Sequence, residues 1–362
     1  MAKDHAYATL DGLRGVAAIS VVIFHYSDNL GWQLLPNAYL AVDFFFLLSG
    51  FVIAHAYEAR LQSGQTVTDF MQRRLIRLYP LYWLGTTFPL VLIAVAFLSG
   101  QSHPSGTQTT ASYVLGLLFL PTPSAVSVFS GRSFPLNIPA WSLAIEVGVN
   151  AIYALVARHL TTQRLAMVVL IAALALVAAA ISYDTVGLGY IWPTYWGGWI
   201  RACALFFAGA LAFRMFGAGR RPTLPAFVAL LLALAMLADF ACREDGLAIG
   251  LGSVFILFPA ILWIGAQVRL SGAAQRLAAW CGAISYALYI THEPIFDSLW
   301  LLCRLNHWDA RAAYWPNLIG WIFIALVVAW ILDFGYDLPV RAFLTRKAAR
   351  RPLEIDAAPF KA

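Results

Sequence analysis

Apolar residues run through this chain in long blocks separated by short polar punctuation. Blocks near the ~20 residues needed to cross a hydrocarbon core fall at about 8–27, 38–57, 79–99, 138–157, 164–182, 198–216, 223–240, 247–268, 278–302 and 316–343. Their length and near-continuous hydrophobicity predict membrane helices. A shorter block, ASYVLGLLFLP at 111–121, is ambiguous by length. Arginine placement resolves it. The segment between the second and third blocks carries Arg60, Arg73, Arg74 and Arg77, and short loops rich in arginine stay in the cytoplasm. If 111–121 does not cross, Arg158, Arg164, Arg214, Arg220, Arg221, Arg269, Arg276 and the tail RAFLTRKAARR fall on that same side. If it does cross, most of them invert. The pattern therefore predicts an all-α polytopic bundle of about ten transmembrane helices with both termini cytoplasmic. Residues 100–137 form a long outer loop that holds a re-entrant or surface helix. One domain is expected over 1–345, followed by a cytoplasmic tail at 346–362. No added soluble domain is expected at either end.

Composition agrees. The 362 residues are 61% hydrophobic and 12% charged, with mean hydropathy +0.74, which excludes an ordinary soluble domain. The net charge of +6 comes from arginine runs beside apolar blocks, so it describes cytoplasmic loops rather than a nucleic-acid surface. Cys203, Cys242, Cys281 and Cys303 form no paired spacing; neither a disulfide framework nor a metal site is expected. The first block follows Lys3 but carries Arg14 and His25 and has no small-residue cleavage site, so it is read as a span, not a removed leader.

Ionisable groups inside the blocks are costly and mark function by default. Arg14 and His25 lie eleven positions apart on the first helix, about 16 Å and three turns along nearly one face. Asp11 is placed to pair with Arg14. Asp43 enters the second helix near the depth of His25, either to orient its imidazole or to complement the helix dipole. Arg73, Arg74 and Arg77 occupy about one turn beside Tyr79 and Tyr82. They anchor the cytoplasmic edge or hold an anionic nucleotide phosphate. Glu146 needs a partner in the membrane, for which Arg201 and His25 both qualify by depth. Tyr286, Tyr289 and His292 recur every three residues on one face, and Pro294 follows; a proline there frees a backbone carbonyl near a site or kink. Asp337 and Arg341 are spaced as a local pair. The outer half thus gathers acid–base groups, the inner half anion-binding ones.

Five segments carry a resemblance: LDGLRGVAAISVVIFH at 10–25, VDFFFLLSGFVI at 42–53, RRLIRLYP at 73–80, PAWSLAIE at 139–146 and ISYALYITHEPI at 284–295. In this order, over nearly the whole chain, they resemble the acyltransferase-3 family of transmembrane enzymes that O-acylate cell-surface glycans. The resemblance implies a ten-helix bundle in the bacterial cytoplasmic membrane. Its donor is an acyl-coenzyme A co-substrate, usually acetyl-coenzyme A, with no permanently bound cofactor. Its acceptor is a carbohydrate or glycolipid hydroxyl, commonly extracytoplasmic. The essential arginine and histidine of the family fall on Arg14 and His25. Its arginine motif falls on Arg74 and Arg77, its tryptophan–serine and glutamate positions on Trp141, Ser142 and Glu146, and its tyrosine–histidine motif on Tyr286, Tyr289 and His292.

The expected chemistry is transfer from a thioester to an alcohol. His25 serves as base or acyl carrier, Asp43 or Glu146 orients it, and Arg201 or His292 faces the oxyanion. Arg14, Arg73, Arg74 and Arg77, with Tyr79 and Tyr82, hold coenzyme A. Trp141, Ser142, Arg201, Tyr286 and Tyr289 meet substrate. The competing readings are a glycan or acyl-intermediate flippase and a non-catalytic sensor on the same bundle. Transporters usually show paired halves with interrupted helices, and no such pairing is visible. Oligomeric state is open.

Overall fold

The computed structural model describes residues 7–101, 104–129, 131–217, 223–243 and 246–349. Arg220, Arg221 and the tail beyond 349 lie outside them. Among the described residues the chain is all helix and loop. In order it runs α1 (Ala8–Leu30), α2 (Ala41–Gln62), α3 (Val67–Leu98), α4 (Gly106–Leu117), α5 (Ala140–Val156), α6 (Thr162–Tyr183), α7 (Tyr195–Phe216), α8 (Phe227–Ala241), α9 (Leu247–Gly252), α10 (Phe258–Gly265), α11 (Gly272–Leu305), α12 (Tyr314–Leu332) and α13 (Leu338–Ala349). Wide helical turns at Ser253–Leu257 and Asp333–Asp337 join α9 to α10 and α12 to α13.

Seven of the resulting rods are long and apolar enough to cross a membrane. The shorter α5 and α8 are apolar as well. The 34-residue α11 carries polar groups along its length. The chain is a multi-pass membrane protein. The ambiguous block becomes α4, whose 12 residues span about 18 Å, short of the ~30 Å hydrocarbon core.

Local chemistry sets several boundaries. Gly31 ends α1 in the left-handed conformation at φ 106°, which costs glycine little. Thr66 caps α3 by accepting from the Asp69 N–H at 3.1 Å, so this helix begins well before the apolar block at 79. The arginines at 73–77 therefore lie inside a regular helix rather than in a loop at its edge. The predicted local pairs are present: Arg14 lies 3.3 Å from Asp11 and Arg341 lies 2.8 Å from Asp337.

Two close helix contacts frame the core, and both use small residues, as membrane helices do in the absence of a hydrophobic drive between them. Helix α1 meets α11 at Gly15 and Gly282; a Cβ on Gly282 would sit 2.6 Å from the Asp11 Cβ. Helix α2 meets α7 where Gly50 faces the Phe206 carbonyl and Gly209 faces the Leu47 carbonyl, with no room for a side chain at either. One helical turn from that crossing, Arg201 of α7 donates to Asp43 of α2 through both Nε, at 3.0 Å, and Nη2. Arg201 also donates to the Leu188 carbonyl at 2.6 Å and lies 5.5 Å over the Trp141 ring. All of its charge is spent inside the protein.

Two stability outcomes follow. Asp43→Ala strands a buried guanidinium and is expected to cost about 3–5 kcal/mol, read as a lower Tm of the purified protein; an unchanged Tm rules out a structural role for the pair. Gly50→Leu forces α2 off α7, with an overpacking cost of about 1–3 kcal/mol or more, visible as lost yield and a lower Tm.

Candidate active site

The bundle has an arginine end and a histidine end, and α1 and α11 run through both. At the arginine end, Arg14 reaches across the glycine contact. Its Nη2 donates to the Gly282 carbonyl at 2.6 Å and its Nε to the Ser285 hydroxyl at 2.9 Å. A cavity of about 250 Å³ opens beside it between α1, α2, α3, α5 and α11. Arg14, Arg74 and Arg77 supply its cations. Phe45, Phe46, Leu48, Val52, Ile53 and Leu143 supply apolar wall. Ser142, Tyr286 and Tyr289 add hydroxyls. A cationic mouth with an apolar throat suits an anion that carries a neutral tail.

Glu146 lies in this cavity, not beside His25. Its Oε1 accepts from Arg74 Nη2 at 3.0 Å and from the Ser49 hydroxyl at 2.7 Å. The expected Glu146–Arg201 pairing is therefore replaced by Glu146–Arg74, because the early start of α3 carries Arg74 into the bundle. The expected role of Asp43 in orienting His25 meets the same obstacle: both its oxygens are taken by Arg201. Arg201 in turn is 1% exposed and does not line the cavity, so it is not placed to face an oxyanion. Trp141 is buried under Arg201 rather than open to substrate.

The tyrosines split by face. Tyr286 donates to the Leu78 carbonyl at 2.5 Å and borders the cavity. Tyr289 shares a 2.7 Å hydrogen bond with Ser142 at the cavity wall. Tyr79 and Tyr82 instead turn away. Tyr79 donates to the Leu117 carbonyl at 3.2 Å, Tyr82 donates to the Gly116 carbonyl and stacks on Phe119. They pin α4 to α3 and do not line the cavity. Arg73 is exposed and does not line it either.

At the histidine end, His25 and His292 approach with ring centroids 5.2 Å apart. The carboxylate beside His25 is Glu293, whose Oε1 lies 3.4 Å from His25 Nδ1. Sequence reasoning passed over Glu293; its position next to His292 on a helix already marked for function was the available signal. His292 is fully buried, and its Nδ1 lies 2.8 Å from the Tyr289 carbonyl. That carbonyl only accepts, so in the neutral ring Nδ1 carries the hydrogen and Nε2 a lone pair. Tyr26 donates to the His292 carbonyl at 2.8 Å and ties α1 to this turn. Pro294 leaves the Ile290 carbonyl without its helical donor, and the Asn137 amide fills the vacancy at 3.0 Å. The loop before α5 is thereby fastened to α11. The cavity and the histidines meet at Tyr289, whose ring lies 6.1 Å from that of His292.

Comparison with known proteins supports the same class of chemistry. The chain is similar over 187 residues, at 37% identity, to protein 2 in the picA locus of Rhizobium radiobacter, covering 49% of this chain and 96% of that relative. It is 28% identical to exopolysaccharide production protein ExoZ of Rhizobium meliloti over 75% of this chain and 80% of that relative. It is 27% identical to peptidoglycan O-acetyltransferase OatA of Listeria monocytogenes over 38% of this chain and only 22% of that longer protein. No solved structure matches. A family described as an acyltransferase domain matches residues 7–334. Membrane helices, a cationic cavity and a histidine–carboxylate pair thus belong to one transferase, and the chain is a member of the acyltransferase-3 family.

Proposed function

We propose that the protein moves an acyl group, acetyl foremost, from acyl-coenzyme A at the cytoplasmic arginine end to a hydroxyl of an extracytoplasmic carbohydrate or glycolipid at the histidine end. The observation that supports this reading most is that one cavity carries three cations, while a His25–Glu293 pair lies beyond its Tyr289 wall. Arg14, Arg74 and Arg77 hold the donor phosphates, and the apolar wall takes the pantetheine arm. Bacterial relatives named for exopolysaccharide production and peptidoglycan O-acetylation suggest a glycan acceptor in a bacterial cytoplasmic membrane.

In this reading His25 is the general base. Glu293 accepts its Nδ1 hydrogen, fixes the tautomer and stabilises the imidazolium that forms, as a carboxylate does for histidine elsewhere. The acceptor oxygen attacks the thioester carbonyl as its proton passes to His25. The tetrahedral oxyanion then expels the thiolate, the C–S bond breaks, and the proton returns to sulfur. Tyr289, at the cavity wall toward the histidines, accepts from Ser142 and supplies its own hydroxyl hydrogen to the oxyanion. His292 shares the pocket with His25.

His25→Ala is expected to lower turnover by about 10²–10⁴-fold with donor binding retained; undiminished turnover removes His25 as base. Arg77→Ala should raise the donor Kd about tenfold, the effect of roughly 1.4 kcal/mol of a phosphate contact, without changing the rate at saturation. Tyr289→Phe should cut kcat by about 10²-fold at unchanged donor Kd. Incubation with radiolabelled acetyl-coenzyme A alone should leave no label on His25, and a stable acyl-histidine there would replace the base role with a carrier role.

A further inference from the structure

The histidine end has the makings of a coordination site. One ligating atom from each of His25, His292 and Glu293 lies within 4.8 Å of the others. Around a tetrahedral zinc ion, ligand atoms at 2.0–2.2 Å stand about 3.4 Å from one another. The His25 Nδ1 to Glu293 Oε1 separation is already 3.4 Å, so closing the third ligand onto that pair takes a small side-chain movement.

A second feature points the same way. His292 Nε2 is a buried polar atom with no hydrogen-bond partner among the described residues. The ring's other nitrogen donates to the Tyr289 carbonyl, which holds the imidazole in place and leaves the Nε2 lone pair directed at nothing. A ring N–H fixed on a backbone carbonyl is how metal-bound histidines are generally oriented. His292 is 0% exposed, and a buried lone pair left unmatched is costly. The His25 side chain is 29% exposed, so solvent reaches the cluster from that side. Two imidazoles and one carboxylate favour zinc over magnesium or calcium, which prefer all-oxygen sets. Three protein ligands also leave the fourth position open.

We propose that His25, His292 and Glu293 form a site for a zinc-type divalent cation, and that occupying it shuts the enzyme down. The ion takes the place of the hydrogen on His25 Nδ1, which moves to Nε2, so the ring keeps no lone pair with which to accept a proton. The imidazole that the transfer reaction needs is then no longer free. Inhibition rests on His25 being the base; binding does not.

The test uses the full-length protein in detergent, stripped with a chelator. Titration with Co²⁺, read by the visible absorption of a tetrahedral ion, and with Zn²⁺, read by competition, should show one site per chain. His292→Ala and Glu293→Gln should each weaken binding at least about tenfold, consistent with loss of one ligand. His292→Gln, milder in volume, guards against misfolding, and each variant is scored only if it elutes as the parent does. Arg77→Ala should bind Zn²⁺ as the parent does. Excess Zn²⁺ should abolish acyl transfer, and chelator should restore it. Absent or non-stoichiometric Co²⁺ binding overturns the site, as does parental affinity in the properly folded His292 variants. Faster turnover with Zn²⁺ overturns the inhibitory role. Should the protein prove inactive with every acyl-coenzyme A, the Co²⁺ spectrum still judges the site alone.

Discussion

The site depends on how closely α1 lies against α11. Gly12, Gly15 and Gly282 remove the side chains that would hold these helices apart. Arg14 can then reach the carbonyl of Gly282 and the hydroxyl of Ser285 at one end. At the other end the same contact brings His25 to Glu293 and Tyr26 to the His292 carbonyl. Two rigid rods pressed together set both ends at once, about 16 Å apart along α1 at 1.5 Å per residue. In lipid, where apolar faces gain little by meeting each other, close backbone approach and hydrogen bonds must do this fastening.

Buried charge is distributed with similar economy. Three of the described cations meet a carboxylate on another helix: Arg201 meets Asp43, Arg74 meets Glu146, Arg214 meets Glu58. An unpaired charge at such depth costs several kcal/mol, so each pair also specifies which helices are neighbours. Only the Arg74–Glu146 pair borders the cavity. The Arg201–Asp43 pair is fully enclosed, and its contribution is to hold α7 on α2 beside the crossing of Gly50 and Gly209.

Much of this was legible before any coordinates. Hydrophobic block length gave the helices, and spacings of three and four gave Asp11–Arg14 and Asp337–Arg341, because local pairs obey helix geometry alone. Tyr286 and Tyr289 line one cavity, His292 lies beyond it against His25, and Pro294 does free a carbonyl. Cross-helix pairing was the part that failed. Glu146 had Arg201 and His25 to choose between and Asp43 was set beside His25, and depth counted from predicted helix ends brought in neither Arg74 nor Glu293. The error traces to α3: Thr66 starts the helix upstream of its apolar block, which moves Arg74 inward to Glu146. Once Arg201 takes Asp43, Glu293 is the carboxylate left for His25. Tyr79 and Tyr82 illustrate a different limit, since only the course of the chain after residue 98 shows that α4 lies against them.

The missing N–H of Pro294 has a consequence beyond the bend it permits. Its orphaned acceptor, the Ile290 carbonyl, is held by Asn137, and Gly85 leaves the space through which that amide passes. The segment leading into α5 is thus moored to the backbone one turn from His292. Any movement of this segment is therefore passed to the helix turn bearing the His292 imidazole. Loop and helix turn are mechanically joined, with a single amide as the tether.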